Sequence, residues 1–221
     1  MSTTQTNTQK IFERFEFFLG IINQMCIGFV TIFMTWYCIS TGLQIDLMLH
    51  AWLVTIGFCF LMAEGIMSHW TGNALTFTYK RQTKTHLHWI LEALGGGCGV
   101  AGCLIKLIPD QFVLKSIHSK LGFSAFILCL VSMLTGLSAI FSMRLKKLLS
   151  PLYNKAFHNL LGVSTFVIAL VAQYYGYSFF VWLHLNPGLI TLLQCITLVS
   201  MVLTCWGPFK ALFNKIVSMF N

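Results

Sequence analysis

Six apolar runs, each about 20 residues long, divide the chain: 17–39, 47–68, 86–108, 117–142, 156–182 and 187–208. A helix rises about 1.5 Å per residue, so each run is long enough to cross a hydrocarbon core of roughly 30 Å. Backbone in lipid must satisfy its own hydrogen bonds, which makes helices the reading for runs of this length. Charged residues are 9% of the 221-residue chain, against about 25% in soluble domains. The expected fold class is therefore an all-α membrane protein with six transmembrane helices, helices 2–5 forming a four-helix core. One domain is expected over 15–215, between polar tails at 1–14 and 216–221. The first run is too long for a signal-peptide core and reads as an uncleaved span.

Charge sets the expected orientation. If the helices alternate, eleven of the 14 Lys and Arg fall on one side, Lys10, Arg14, Arg81, Lys84, Lys155 and Lys215 among them. Only Lys106, Lys115 and Lys120 fall on the other. Short basic loops stay cytoplasmic, so both termini are expected there. The basic residues are dispersed over loops, so the net charge of +8 points to anionic lipid headgroups and not to nucleic acid. All eight cysteines lie inside apolar runs, with no CxxC pair and no CxxCH. They read as small buried hydrophobes, without disulfides, a zinc knuckle or a covalent haem attachment.

An imidazole inside a membrane is costly unless it faces a ligand, a cavity or a partner. Of seven histidines, four open a different helix each: His50 in "DLMLHAWLV", His88 in "HLHWILEALGGG", His118 in "KSIHSKLG" and His158 in "KAFHNLLGV". Helices 2 and 4 run from outside to inside, so His50 and His118 share a depth near the outer face. Helices 3 and 5 run the other way, so His88 and His158 share a depth near the inner face. Two bis-histidine sites are expected. The intervals of 38 residues from His50 to His88 and 40 from His118 to His158 suggest that helix pair 2–3 is repeated as pair 4–5, about an axis along the membrane normal. His69, His86 and His184 read as interfacial. His86 competes with His88 but points to a different helix face, and one site cannot use both.

Glycines follow the four histidines at helical spacing. Gly122 and Gly162 come four residues after His118 and His158, and Gly57 and Gly95 come seven after His50 and His88. Both offsets return to the same helix face, where a missing side chain lets a flat macrocycle approach the backbone. The alternative is close helix packing through small residues, with even weight for the run "GGGCGVAG". Two imidazoles per site, no acidic or thiolate ligand at matching depth and room for a plane favour haem iron over zinc or copper. The expected cofactors are two non-covalent b haems, the outer iron on His50 and His118 and the inner iron on His88 and His158. Their depths should differ by about 20 Å.

These residues, with "FLMAEG" ending at Gly65, "HW" at 88–89, "KAFH" at 155–158 and Ser116 and His118 in "SIHSKLG", resemble the cytochrome b561 family over nearly the whole chain, most closely its short single-domain members. The resemblance implies the same four haem ligands. It also implies oxidation of cytosolic ascorbate, reduction of monodehydroascorbate or a ferric chelate on the opposite side, a homodimer, and an endoplasmic reticulum or cytoplasmic vesicle membrane.

Ascorbate is an anion, so its site needs cations beside the inner pair. Lys84 lies four residues before His88, Arg81 seven before it, and Lys155 three before His158. Each also obeys the positive-inside rule without any substrate. On the outer side Lys106, Lys115, Lys120 and His184 are the few polar groups available to an anionic acceptor. Glu64 and Glu92 lie in the inner halves of helices 2 and 3, where a lone carboxylate is costly. Glu92 and His86 are candidate proton handlers, with a hydrogen bond across helices as an equal reading for the glutamates. No dinucleotide fingerprint follows a strand, so the reductant is small or is another protein. The rival function is a proton-coupled transporter or channel with the His and Glu residues as a relay. Against it, the histidines gather at two ends and leave the midplane apolar.

Overall fold

The computed structural model describes residues 7–220, which form six membrane-length helices and, among the described residues, no strand. These are α1 Asn7–Thr41, α2 Asp46–Met67, α3 Arg81–Leu107, α4 Ile117–Ile140, α5 Pro151–Gly176 and α6 Pro187–Phe220. A 3-10 segment, Tyr177–Leu183, prolongs α5. At the end away from the chain termini the helices, α5 counted with its 3-10 segment, stop within two residues of the expected spans. At the end that carries the termini, α1, α3, α5 and α6 run on well past the apolar runs. A helix's own hydrogen bonds do not stop where lipid stops, so hydropathy marks the span and not the helix end.

Local chemistry fixes where the histidine-bearing helices begin. Ser116 caps α4 in a capping box: its side chain accepts from the Ser119 N–H at 3.0 Å, and Ser119 Oγ accepts from the Ser116 N–H at 2.9 Å. The cap satisfies two donors that a helix start leaves open, and it holds His118 in the first turn. Pro151 opens α5 at a position where its missing N–H costs nothing. Asn186 caps α6 by accepting from the Gly188 N–H at 2.7 Å.

Two helix pairs make the core. In α2 and α3, Gly57, Gly95 and Gly99 bring the backbones together: a Cβ on Gly57 would stand 2.6 Å from the Gly95 carbonyl oxygen and the Gly99 nitrogen. Gly57 and Gly95 therefore serve helix packing, which corrects the expectation that they border a macrocycle. Gly122 and Gly162 differ, because a Cβ on Gly122 would meet nothing within 4 Å and one on Gly162 only Ser132 Oγ at 3.7 Å. In α4 and α5, Ser138 and Asn154 exchange two hydrogen bonds, Ser138 Oγ to Asn154 Oδ1 at 2.8 Å and Asn154 Nδ2 to the Ser138 carbonyl at 2.9 Å. The pair locks the register of α5 one turn before His158.

α1 and α6 flank this core and are tied by a buried Glu16, which accepts from Lys210 Nζ at 2.8 Å and Trp206 Nε1 at 3.0 Å. The α2–α3 connection tucks Trp70 against Gly20 of α1 and Gly207 of α6. Thr76 Oγ1 donates to the Ser68 carbonyl, and Ser68 Oγ lies within reach of the Gly65 and Lys84 carbonyls. That packing sets His69 beside the first turns of α3.

Candidate functional site

The four helix-opening histidines meet as two pairs. The His50 and His118 ring centres are 6.0 Å apart, with ring planes at 84°, and those of His88 and His158 are 6.2 Å apart at 77°. Two imidazole–metal bonds of about 2.0–2.1 Å, with roughly 1.2 Å from each nitrogen to its ring centre, would place trans imidazoles about 6.4 Å apart. Both pairs are therefore spaced to hold one metal ion between them.

Backbone carbonyls orient the rings. His50 Nδ1 lies 2.7 Å from the Gly102 carbonyl oxygen, His118 Nδ1 2.7 Å from that of Ala172, and His88 Nδ1 2.9 Å from that of Gly65. An Nδ1–H donated to a carbonyl fixes the tautomer and leaves the Nε2 lone pair for a metal. In the α2–α3 pair the support is reciprocal, each helix carrying a histidine and the carbonyl that holds its partner's, whereas in the α4–α5 pair α5 supplies the carbonyl for His118 and α4 meets His158 through Thr135 Oγ1 at 3.2 Å. Gly102 comes 14 residues after His88, and Ala172 14 after His158. The corresponding residue 14 after His118 is Ser132, whose carbonyl borders the same edge of the His158 ring. At 1.5 Å per residue this interval separates the two pairs by about 21 Å in depth. Gly65 comes 15 after His50, and α2 is the helix with a π-helical segment, Thr55–Met62. A π turn absorbs one extra residue, so the segment restores the register that the other three helices keep with 14.

Two further glycines seat the rings. A Cβ on Gly176 would stand 2.9 Å from the His118 ring, and one on Gly136 would stand 3.2 Å from the His158 ring. Both glycines come 18 residues after the histidine of their own helix. Beside the first pair lies a cavity of about 40 Å³ lined by His50, His118, Thr55, Gln173, Gly176 and Tyr177. Gln173 Nε2 donates to Tyr177 Oη at 2.7 Å there.

The pairs fit haem. Among the described residues no cluster of three or more His, Cys, Asp or Glu is arranged to hold a metal ion. Each pair would thus supply two imidazole ligands to a haem iron. Open space beside Gly122 and the seats at Gly136 and Gly176 agree with a flat group between helices.

The remaining candidates are dispersed. His86 is exposed on the far face of α3 from His88. Glu92 Oε1 lies 3.8 Å from His88 Nδ1 and has no hydrogen bond, whereas Glu64 accepts from Gln24 Nε2 at 3.0 Å and so faces α1. Lys84 is buried at 9% exposure one turn before His88, and Arg81 is exposed. Lys155 is exposed, and its carbonyl accepts from Lys215 Nζ at 3.4 Å. At the other end Lys115 is exposed beside the α4 cap, and Lys106 lies near His50. His69 had read as merely interfacial, yet its ring centre is 5.3 Å from that of His88. Burial, then His88, Lys84, Arg81 and Lys215, push its pKa down to about 4.

Fold and site together define an integral membrane protein whose central helices present two facing histidine pairs. Residues 49–184, from the His50 turn through the 3-10 segment, match the family model for eukaryotic cytochrome b561, and the chain belongs to that family. Neither curated proteins nor solved structures yield a match. Membership makes the chain a transmembrane oxidoreductase that works by haem-dependent electron transfer. The expected fold class stands: the described residues are all-helical, with six helices fit to span a membrane.

Proposed function

We propose that the protein oxidises ascorbate at the cytoplasmic end, where both termini lie, and delivers electrons to monodehydroascorbate or a ferric chelate at the other. Two b haems would be held, one by His88 and His158 and one by His50 and His118. Haem bound in this way supplies a one-electron ferric/ferrous couple without an open coordination position. The residues do the rest: they bind, orient and separate the two centres. Electrons leaving a negative-inside compartment gain about 2.3 kcal/mol per 100 mV for a full crossing.

The observation that carries this reading is Lys84. It is nine-tenths buried, one helical turn from a ligand histidine, and among the described residues no carboxylate pairs with it. With Arg81 of α3, Lys155 of α5 and Lys215 of α6 it gives one end of the bundle a concentration of positive charge suited to a small anion. Lys115, with Lys106 and Lys120, would play the weaker part at the acceptor end. Glu92, beside His88, is the better placed of the two glutamates to take up a proton as ascorbate is oxidised, and exposed His86 is placed to exchange protons with solvent. The protein would work in an endoplasmic reticulum or vesicle membrane as a homodimer, with α1 and α6, which carry no ligand, facing lipid or the second copy.

Rapid mixing of the purified holoprotein with ascorbate tests the substrate assignment. Lys84→Ala should slow haem reduction at least tenfold while leaving haem content unchanged. Equal rates in wild type and variant would remove Lys84 from the donor site.

A further inference from the structure

Three of the four ligand histidines donate directly to a backbone carbonyl, at 2.7, 2.7 and 2.9 Å. His158 does not. The carbonyl that the repeat assigns to it, that of Ser132, borders the ring and accepts from Thr135 Oγ1 at 3.0 Å. His158 Nδ1 meets Thr135 Oγ1 at 3.2 Å. A threonine hydroxyl has one proton. With that proton on Ser132, the oxygen is left to accept from the His158 Nδ1–H.

The difference has a sign. An N–H bonded to an amide carbonyl gives the imidazole more basic character and makes it a stronger ligand. A hydroxyl oxygen carries less negative charge than an amide oxygen, and 3.2 Å is at the long limit for such a bond. His158 is thus the weakest electron donor of the four. A weaker axial donor stabilises ferric iron less, and second-shell hydrogen bonding is one of the levers by which a protein sets a haem potential.

We propose that Thr135 raises the reduction potential of the iron held by His88 and His158 by standing between His158 and the Ser132 carbonyl. The inference rests on the bis-histidine haem reading and is independent of which donor or acceptor is used. Thr135 acts through His158 and is a positioning residue. Its effect makes this centre, at the end where the cations gather, easier to reduce than it would be with His158 bonded to a carbonyl.

The test is a spectroelectrochemical titration of purified holoprotein, wild type against Thr135→Val, Thr135→Ala and Thr135→Ser, with haem per chain and the low-spin EPR signals recorded alongside. Removing the hydroxyl releases the Ser132 carbonyl to His158. In Val and Ala, one midpoint potential should therefore fall and one EPR signal shift, while the other haem keeps both. That haem should be the one lost in His158→Ala. Ser keeps the hydroxyl and should titrate as wild type. Unmoved potentials in Val and Ala, an equal shift of both haems, an upward shift, or loss of haem from Val and Ala alike would overturn the proposal. A wild-type protein without bound haem would instead defeat the bis-histidine reading on which it rests.

Discussion

His86 and His88 are two residues apart on one helix, and geometry separates them. His88 faces His158 and is held by the Gly65 carbonyl, whereas His86 is exposed. His88→Ala should lose one of two haems, and His86→Ala should keep both, as counted by pyridine haemochrome per chain. Haem loss from the second variant alone would reverse the assignment. His69, held down at about 4 against an ordinary 6.5, stays neutral from pH 8 to 5.5, so its ring adds no charge in that interval. The ionic-strength dependence of haem reduction by an anionic donor should therefore have the same slope at both pH values. A steeper slope at pH 5.5 would mean that His69 protonates near its ordinary pKa. The two facing histidine pairs were legible in the sequence because imidazoles are scarce in lipid and the alternation of helices sorts them by depth. Their carbonyl partners were not, because every residue offers a carbonyl. The contact of His69 with His88 was hidden for another reason: it depends on how the 68–80 loop packs, which hydropathy does not encode.

At the scale of helices, glycines do two different jobs that spacing alone did not separate. Gly57 faces the α3 backbone, so Gly57→Ala would drive a methyl against main chain that cannot move aside. Overpacking of this kind costs about 1–3 kcal/mol, and the variant should melt earlier in detergent and release haem from both sites. Gly176 faces a side chain instead. Gly176→Ala should displace the His118 ring and cost the His50–His118 haem selectively, read as half the wild-type haem with the other centre's spectrum intact. Equal loss at both centres would show that Gly176 supports the bundle and not the ring. The spans could be read from apolar runs, and the ends away from the termini agree within two residues. The overrun at the other end and the π-helical segment of α2 could not, because both arise from hydrogen bonding that continues whatever the hydropathy. The 14-residue interval from ligand to supporting carbonyl becomes visible only once the contacts are known, and it then accounts for the extra residue in α2.

At the scale of the whole molecule, two helix pairs related by an internal repeat place two histidine pairs about 21 Å apart in depth, by the rise of an α-helix. Basic residues concentrate at the end nearer His88 and His158. The sequence carried this layout because the positive residues and the histidines follow the same alternation of helices. It did not carry the difference between the four rings, three of which meet a backbone carbonyl while His158 meets the Thr135 hydroxyl. The most direct test of the account is the visible spectrum of the detergent-purified protein, oxidised and then treated with ascorbate, with haem counted per chain. Two low-spin b haems per chain, both reduced by ascorbate, are the predicted result. A colourless protein, or one that binds a single haem and is untouched by mutation of either histidine pair, would contradict it.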